Sequence, residues 1–398
     1  MLRIKLPLAA AVMALPLALA HAHTPPGSER LGKVQFSVSC AAPEDFNRAV
    51  ALLHSFWFLP ANTAFRDIAA KDAGCGMAWW GVAMVTLGNP LAGAATAQGL
   101  KVGLDAVEKA KAASAKTERE RDYIAAIELF YRDSDKIPHR ERARAYEQAM
   151  ERLAAKYPDD TEAKVFYALA LNITFDPADK SYKNQIKAAG ILEQVFTAQP
   201  EHPGVAHYLI HSYDFPPIAN KGLNAAQRYA KIAPDSPHAL HMPSHIFTRV
   251  GYWQDSIDSN RASAAAAMKE YAATPTGGPL SNAYHGYDYM AYAHLQLGQD
   301  KAAKALAEQI LQIRKIEFTH TIGAIAAPYA IAAIPVRYAL EREQWAEAAK
   351  LEFPAVELPW QDYPQTSAIV AFGKGLGAAR NKDIAGAEAA LAQLKIQR

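Results

Sequence analysis

Gln199-Pro200-Glu201-His202 and Ala233-Pro234-Asp235-Ser236 each close one alanine-rich helical run and open another, and their prolines stand 34 residues apart. Tyr157-Pro158-Asp159-Asp160 marks the same kind of junction 42 residues earlier. Proline cannot continue a helix but fits the start of the next one, and the Asp, Ser and His beside it suit helix ends. Between the junctions, apolar residues recur at helical spacing. They predict second helices at Ala143–Lys156, Ile186–Gln199 and Leu223–Ile232, and first helices at Thr161–Ile173, Gly204–Tyr213 and Pro243–Tyr252.

A period of 34 residues is that of a tetratricopeptide (TPR) hairpin, two antiparallel helices that bury their apolar faces only by stacking on the next pair. Asp288–Gly298 with Asp300–Ile313 repeats the pattern, and Phe46–Phe58 with Asn62–Ala70 forms an earlier pair leading into Met77–Leu87. Asn89–Leu100 and Thr274–Asn282, rich in Gly, Pro and Ala without a period, read as loops. Alternating β-branched runs are nearly absent and 51% of the chain is hydrophobic. The expected fold is therefore all-α, with TPR-like helical hairpins forming a superhelical solenoid over 31–398. An all-helical domain without true repeats is the alternative.

The N-terminus sets the expected compartment. Arg3 and Lys5 precede an apolar run from Leu6 to Ala20, too short to span a bilayer, and Ala18, Ala20 and Ala22 offer two Ala-x-Ala cleavage places. Residues 1–22 read as a signal peptide and 23–30 as a flexible tail, so a periplasmic or secreted protein is expected. Losing Arg3 and Lys5 lowers the basic count from 42 to 40, equal to the 40 acids. Basic residues are dispersed, which argues against a nucleic-acid surface, and no later apolar run is long enough for a membrane span.

Histidine carries the chemistry. His207-Tyr-Leu-Ile-His211-Ser-Tyr-Asp214, His238-Ala-Leu-His241-Met-Pro-Ser-His245 and His285-Gly-Tyr-Asp288-Tyr289 recur at about the repeat period, with 38 residues from His207 to His245 and 40 from His245 to His285. Side chains four apart share a helix face, so His207 with His211, and His241 with His245, each aim two imidazoles one way. Asp214 is on the first of these faces. Imidazoles and a carboxylate suit zinc or copper. The candidate metal ligands are His207, His211, Asp214, His241, His245 and His285. With cleavage after Ala20, His21 and His23 could also bind copper or nickel at the new amino terminus. His139 and His202 begin helices and read as exposed; His294 and His320 read as structural.

Cys40 and Cys75 flank the first hairpin, which returns both to one end, and a disulfide follows in an oxidising compartment. Gly-x-Ser-x-Gly, a phosphate-binding glycine loop, His-Glu-x-x-His and Cys-x-x-Cys-His are all absent, so no familiar reaction is indicated. Trp57, Trp79, Trp80, Phe247, Tyr252 and Trp253 fall at helical spacing and read as packing.

Ala49-Val-Ala-Leu-Leu-His54-Ser-Phe-Trp57, Cys75-Gly-Met-Ala-Trp-Trp80-Gly81-Val-Ala-Met84 and above all Pro237-His-Ala-Leu-His-Met-Pro-Ser-His245-Ile-Phe resemble a family of bacterial, mostly exported TPR-repeat proteins with no established activity. The resemblance runs from about Leu31 to the C-terminus. Family members often carry another histidine where this chain has Thr86-Leu-Gly-Asn-Pro90, which argues against His54 acting in a site completed from that loop. Members tend to be longer, which implies a missing C-terminal portion. The last expected pair, Gln365–Ala379 and Ile384–Leu394, has apolar residues where a terminal repeat turns polar ones to water.

Two functions stand. The chain is a TPR scaffold whose concave, histidine-rich groove holds a protein or peptide. Alternatively, His207, His211, His241 and His245 bind a transition metal, zinc or copper, for delivery or catalysis.

Overall fold

The computed structural model describes residues 29–113, 115–273, 277–314, 316 and 326–397. The proposed signal peptide, His21, His23 and His320 lie outside them. Among the described residues the regular structure is entirely helical.

Helices succeed one another as antiparallel neighbours: α1 Pro43–His54, α2 Phe58–Lys71, α3 Gly76–Leu87, α4 Ala97–Ala112, α5 Glu118–Tyr131, α6 His139–Lys156, α7 Thr161–Ile173, α8 Lys183–Ala198, α9 Pro203–Tyr213 and α10 Leu223–Ile232. There follow two short helices, α11 Pro237–His241 and α12 Pro243–Val250, then α13 Trp253–Ala273, α14 Gly277–Gln296, α15 Asp300–Leu311, α16 Ala326–Glu341, α17 Trp345–Ala348, α18 Pro364–Arg380 and α19 Ile384–Ile396. Most pack mainly on their chain neighbours, as in a hairpin array, while α11 packs chiefly on α13 and α16 on α14 and α18. The fold is therefore all-α and TPR-like.

The proline junctions work as caps. Asp160 accepts from the backbone of Glu162 and Ala163 at the start of α7. His202 caps α9 through Val205 N–H, and Ser236 caps α11 through Ala239 N–H, with Pro203 and Pro237 at the first helical positions. Several expectations are corrected. The loop expected over Asn89–Leu100 ends early, because Thr96 caps α4 and the helix begins at Ala97. The expected loop Thr274–Asn282 gives way to α14 at Gly277, where Pro279 is tolerated because first-turn N–H groups have no intrahelical partner. His202, expected at the surface, is fully buried.

Two packing relationships position the histidines. First, α1 packs against α9 although seven helices lie between them in the chain. Gly204 permits that approach, since a Cβ there would stand 2.5 Å from His54 Nδ1. Second, residues 29–38 run as an extended strap over the repeat junctions. Arg30, in the segment read as flexible tail, pairs with Asp235 at 2.8 Å, and Lys33 N–H donates to Glu201 O at 2.9 Å. Gly32, at φ 76°, lies so close to Glu201 O that a Cβ would be 2.4 Å away.

The main apolar core runs from Leu31 to Phe247, and a second begins at Leu280. Cys40 and Cys75 are joined, with Cα atoms 4.9 Å apart, at the base of the α1–α2 hairpin. Ile384, Leu391 and Ile396 of α19 are exposed.

Candidate metal centre

Six histidines gather where the two cores meet, in two groups of three. His207 and His211 on α9 meet His238 on α11; His241 on α11 and His245 on α12 meet His285 on α14. The short helix α11 straddles both groups, sending His238 to one and His241 to the other. His238 is not among the ligands expected from the sequence, although it lies three residues before His241 and the two rings are helical neighbours.

In the first group, His207 Nδ1–H donates to the backbone oxygen of His54 at 2.6 Å. A neutral ring so anchored has a bare lone pair on Nε2. That atom lies 3.0 Å from His211 Nε2 and 3.1 Å from His238 Nε2. The second group repeats the arrangement. His241 Nδ1–H donates to Asn260 Oδ1 at 2.6 Å, and the amide is oriented by its own N–H bond to Ser256 O at 2.8 Å. His241 Nε2 then faces His245 Nε2 at 2.9 Å, and the His285 ring centroid is 4.4 Å from that of His241.

Burial disfavours a charge on five of these rings. It depresses His207, His211, His238 and His241 well below the ordinary imidazole range, and the neighbouring imidazoles push the same way. Burial, then the nearby His245, takes His285 down to about 3. His207 and His241 form the buried floors, while His211, His238, His245 and His285 are half-buried at the rim. Each group thus sets one buried imidazole beside two partly exposed ones.

Asp214, read from sequence as a candidate ligand, stands behind the second group. Its Oδ2 accepts from His245 Nδ1–H at 2.7 Å and its Oδ1 from Arg249 Nε–H at 2.8 Å. Burial would raise its pKa, but His245 and Arg249 hold it below the ordinary value. A carboxylate that receives the outer N–H of an imidazole fixes the ring and makes the inner nitrogen more basic.

An aromatic ring lies against each group. Phe56 is 4.4 Å from His207, 5.4 Å from His238 and 6.1 Å from His211 between centroids. It occupies the left-handed region, φ 49°, just beyond α1, where Phe56 N–H bonds Leu53 O and Trp57 N–H bonds Leu52 O. Glycine is usual at that place in such a cap, so a phenylalanine there carries a backbone cost of about 1 kcal/mol that its packing offsets. Tyr289 stands 5.0 Å from His241 and 5.2 Å from both His245 and His285.

His54 itself belongs elsewhere. Its Nε2–H donates to Glu162 Oε2 and His202 Nε2–H to Glu162 Oε1, both at 2.8 Å, all three residues being buried. Tyr208 O–H at 3.0 Å and Val205 N–H at 3.3 Å then satisfy the remaining ring nitrogens. Burial opposes a charge on Glu162, but the two histidines hold its carboxyl far below the usual range, and it sits in the first turn of α7, where the helix dipole favours an anion. With every lone pair and proton used, this trio braces α1, α7 and α9 and offers nothing to an ion. His294, bonded to Gln299, is likewise apart from the centre.

No protein-family model matches the chain, and no curated protein does. Among solved structures it is similar to the human IFIT1 dimer with m7Gppp-AAAA, at 12% identity and a TM-score of 0.40 over 88% of this chain and 81% of that one. It is also similar to the APC/C hetero-tetramer Cut9–Hcn1, at 14% identity and 0.36 over 89% and 66%. The P58(IPK) TPR domain follows at 10% identity and 0.21 over 89% and 98%. Identities this low carry no activity across.

Proposed function

We propose that this chain is an exported metal-binding protein whose helical array carries two three-histidine sites for zinc or copper. The observation that supports it most is the convergence of Nε2 atoms from His207, His211 and His238 at 3.0 and 3.1 Å, with the outer nitrogen of His207 already committed. Metal–imidazole bonds of about 2.0–2.1 Å at tetrahedral angles put ligand nitrogens about 3.3 Å apart, so an ion fits with a small outward adjustment. Three ligands per ion leave a fourth position free, as in sites that deliver a metal or use it.

The array serves as the scaffold. The histidine groups favour a metal over a peptide carboxylate, because the nearby arginines Arg249 and Arg337 are already paired with Asp214 and Asp288. The sequence 1–22 and the Cys40–Cys75 bond support a periplasmic or secreted location.

Titration of the metal-free, untagged protein with zinc by calorimetry tests this. The expected result is two ions per chain, falling to one in His211→Ala and one in His285→Ala. Absence of binding by well-folded protein, or two ions in the double variant, overturns it.

A further inference from the structure

Resting on that reading, we infer that the two groups work as one centre, holding a pair of cuprous ions that together bind dioxygen.

Charge favours copper(I) over a divalent ion when both are offered to the pair. All six donors are uncharged nitrogens, and no carboxylate oxygen enters either group. Around them Asp214 is balanced by Arg249 and Asp288 by Arg337, so the surroundings contribute no net negative charge to the pair. Two divalent ions would place four positive charges among uncharged donors, and their mutual repulsion would be four times that of two monovalent ions at the same spacing. Three imidazoles around a small monovalent ion suit copper(I), for which nitrogen and sulfur donors are preferred.

Spacing makes the pair a unit. His238 and His241 lie three apart on α11, so their Cβ atoms are about 5–6 Å apart. The His211 and His245 rings, and the His238 and His241 rings, come within 6.0 Å between centroids. Ions held by these rings would then be neighbours, as a diatomic ligand bridging both requires.

The reaction that fits is a two-electron one. Each copper(I) gives up one electron; dioxygen takes both, its π bond is lost, the O–O single bond is kept, and each oxygen forms a bond to copper. Two copper(II) ions and one peroxide carry the same total charge as two copper(I) ions and dioxygen. No proton is needed. Phe56 and Tyr289 against the two groups give the small apolar gas a hospitable approach.

The test loads the full-length, disulfide-intact protein with copper(I) without air, removes loose copper with a chelator, and follows oxygen uptake with an electrode. The expected result is two coppers per chain and one dioxygen per two coppers. His211→Ala and His285→Ala, altered at half-buried rim positions, should each keep one copper and take up at least tenfold less oxygen. Two bound coppers without oxygen uptake would overturn the dioxygen inference and leave the metal sites standing. Loss of all copper from folded protein that nonetheless retains two zinc ions would do the same, and would point to hydrolytic chemistry. Protein that retains neither metal would sink both readings. Undiminished uptake in the single-site variants would show that the ions act separately, against the paired centre.

Discussion

The Nδ1 of His207 and the backbone oxygen of His54 are 2.6 Å apart, and this bond between α9 and α1 fixes which nitrogen of His207 faces its partners. The anchor is a main-chain atom at the end of a helix, so it moves only if α1 and α9 move. Gly204 holds their separation. Gly204→Ala should therefore lower stability by about 1–3 kcal/mol, as overpacking does, and weaken ion binding at the first group more than at the second. Denaturation and metal titration of the variant check both. Equal weakening at the two groups would contradict the route through α9.

At the second group the anchor is a side chain. Asp214→Asn keeps the shape but removes the carboxylate that receives His245 Nδ1–H. Affinity for one ion should fall about 10–100-fold, the usual effect of losing such a partner, while the other ion is untouched. Competition with a chromophoric chelator reads the two affinities separately.

Acid should destabilise the metal-free protein. His207 and His241, 0% and 2% exposed, are neutral when folded but ionise near the ordinary 6.5 when unfolded. Below that pH the unfolded chain binds more protons. Stability is then complete above pH 6.5 and falls as pH drops, by about 1.4 kcal/mol per pH unit for each such histidine. Glu162, whose folded pKa lies below the ordinary 4.5, contributes above that value and is lost beneath it, in the same direction. Urea midpoints at pH 7.5, 6 and 5 should decline steadily; a flat series would contradict neutral burial.

The cross-link should matter without deciding the fold. Cys40 and Cys75 are 35 residues apart in sequence, and closing such a loop contributes about 4 kcal/mol at most in the chain-entropy view. Cys75→Ser should lower the melting temperature by several degrees and leave metal stoichiometry unchanged. Thiol trapping of exported protein should find neither cysteine free.

Local chemistry made most of the fold legible. Thr161–Ile173 and Leu223–Ile232 were readable to the residue because Asp160 caps the first and the turn after Ala233 ends the second. Gly277-Gly278-Pro279 misled, since residues typical of loops are also tolerated in a first helical turn. Among the site residues, pairs four apart on one helix could be seen directly. The bracing of His54 by Glu162 could not, because 108 residues separate them and only the return of α9 to α1 brings the groups together. Asp214 was visible as a neighbour of His211 in sequence, but its side chain turns to α12.

Anomalous diffraction from crystals of untagged protein, recorded across the zinc and copper absorption edges, tests the metal centre most directly. Two difference peaks are predicted, one among His207, His211 and His238 and one among His241, His245 and His285. An ordered crystal of protein supplied with both metals that shows no peak at either group would contradict the account.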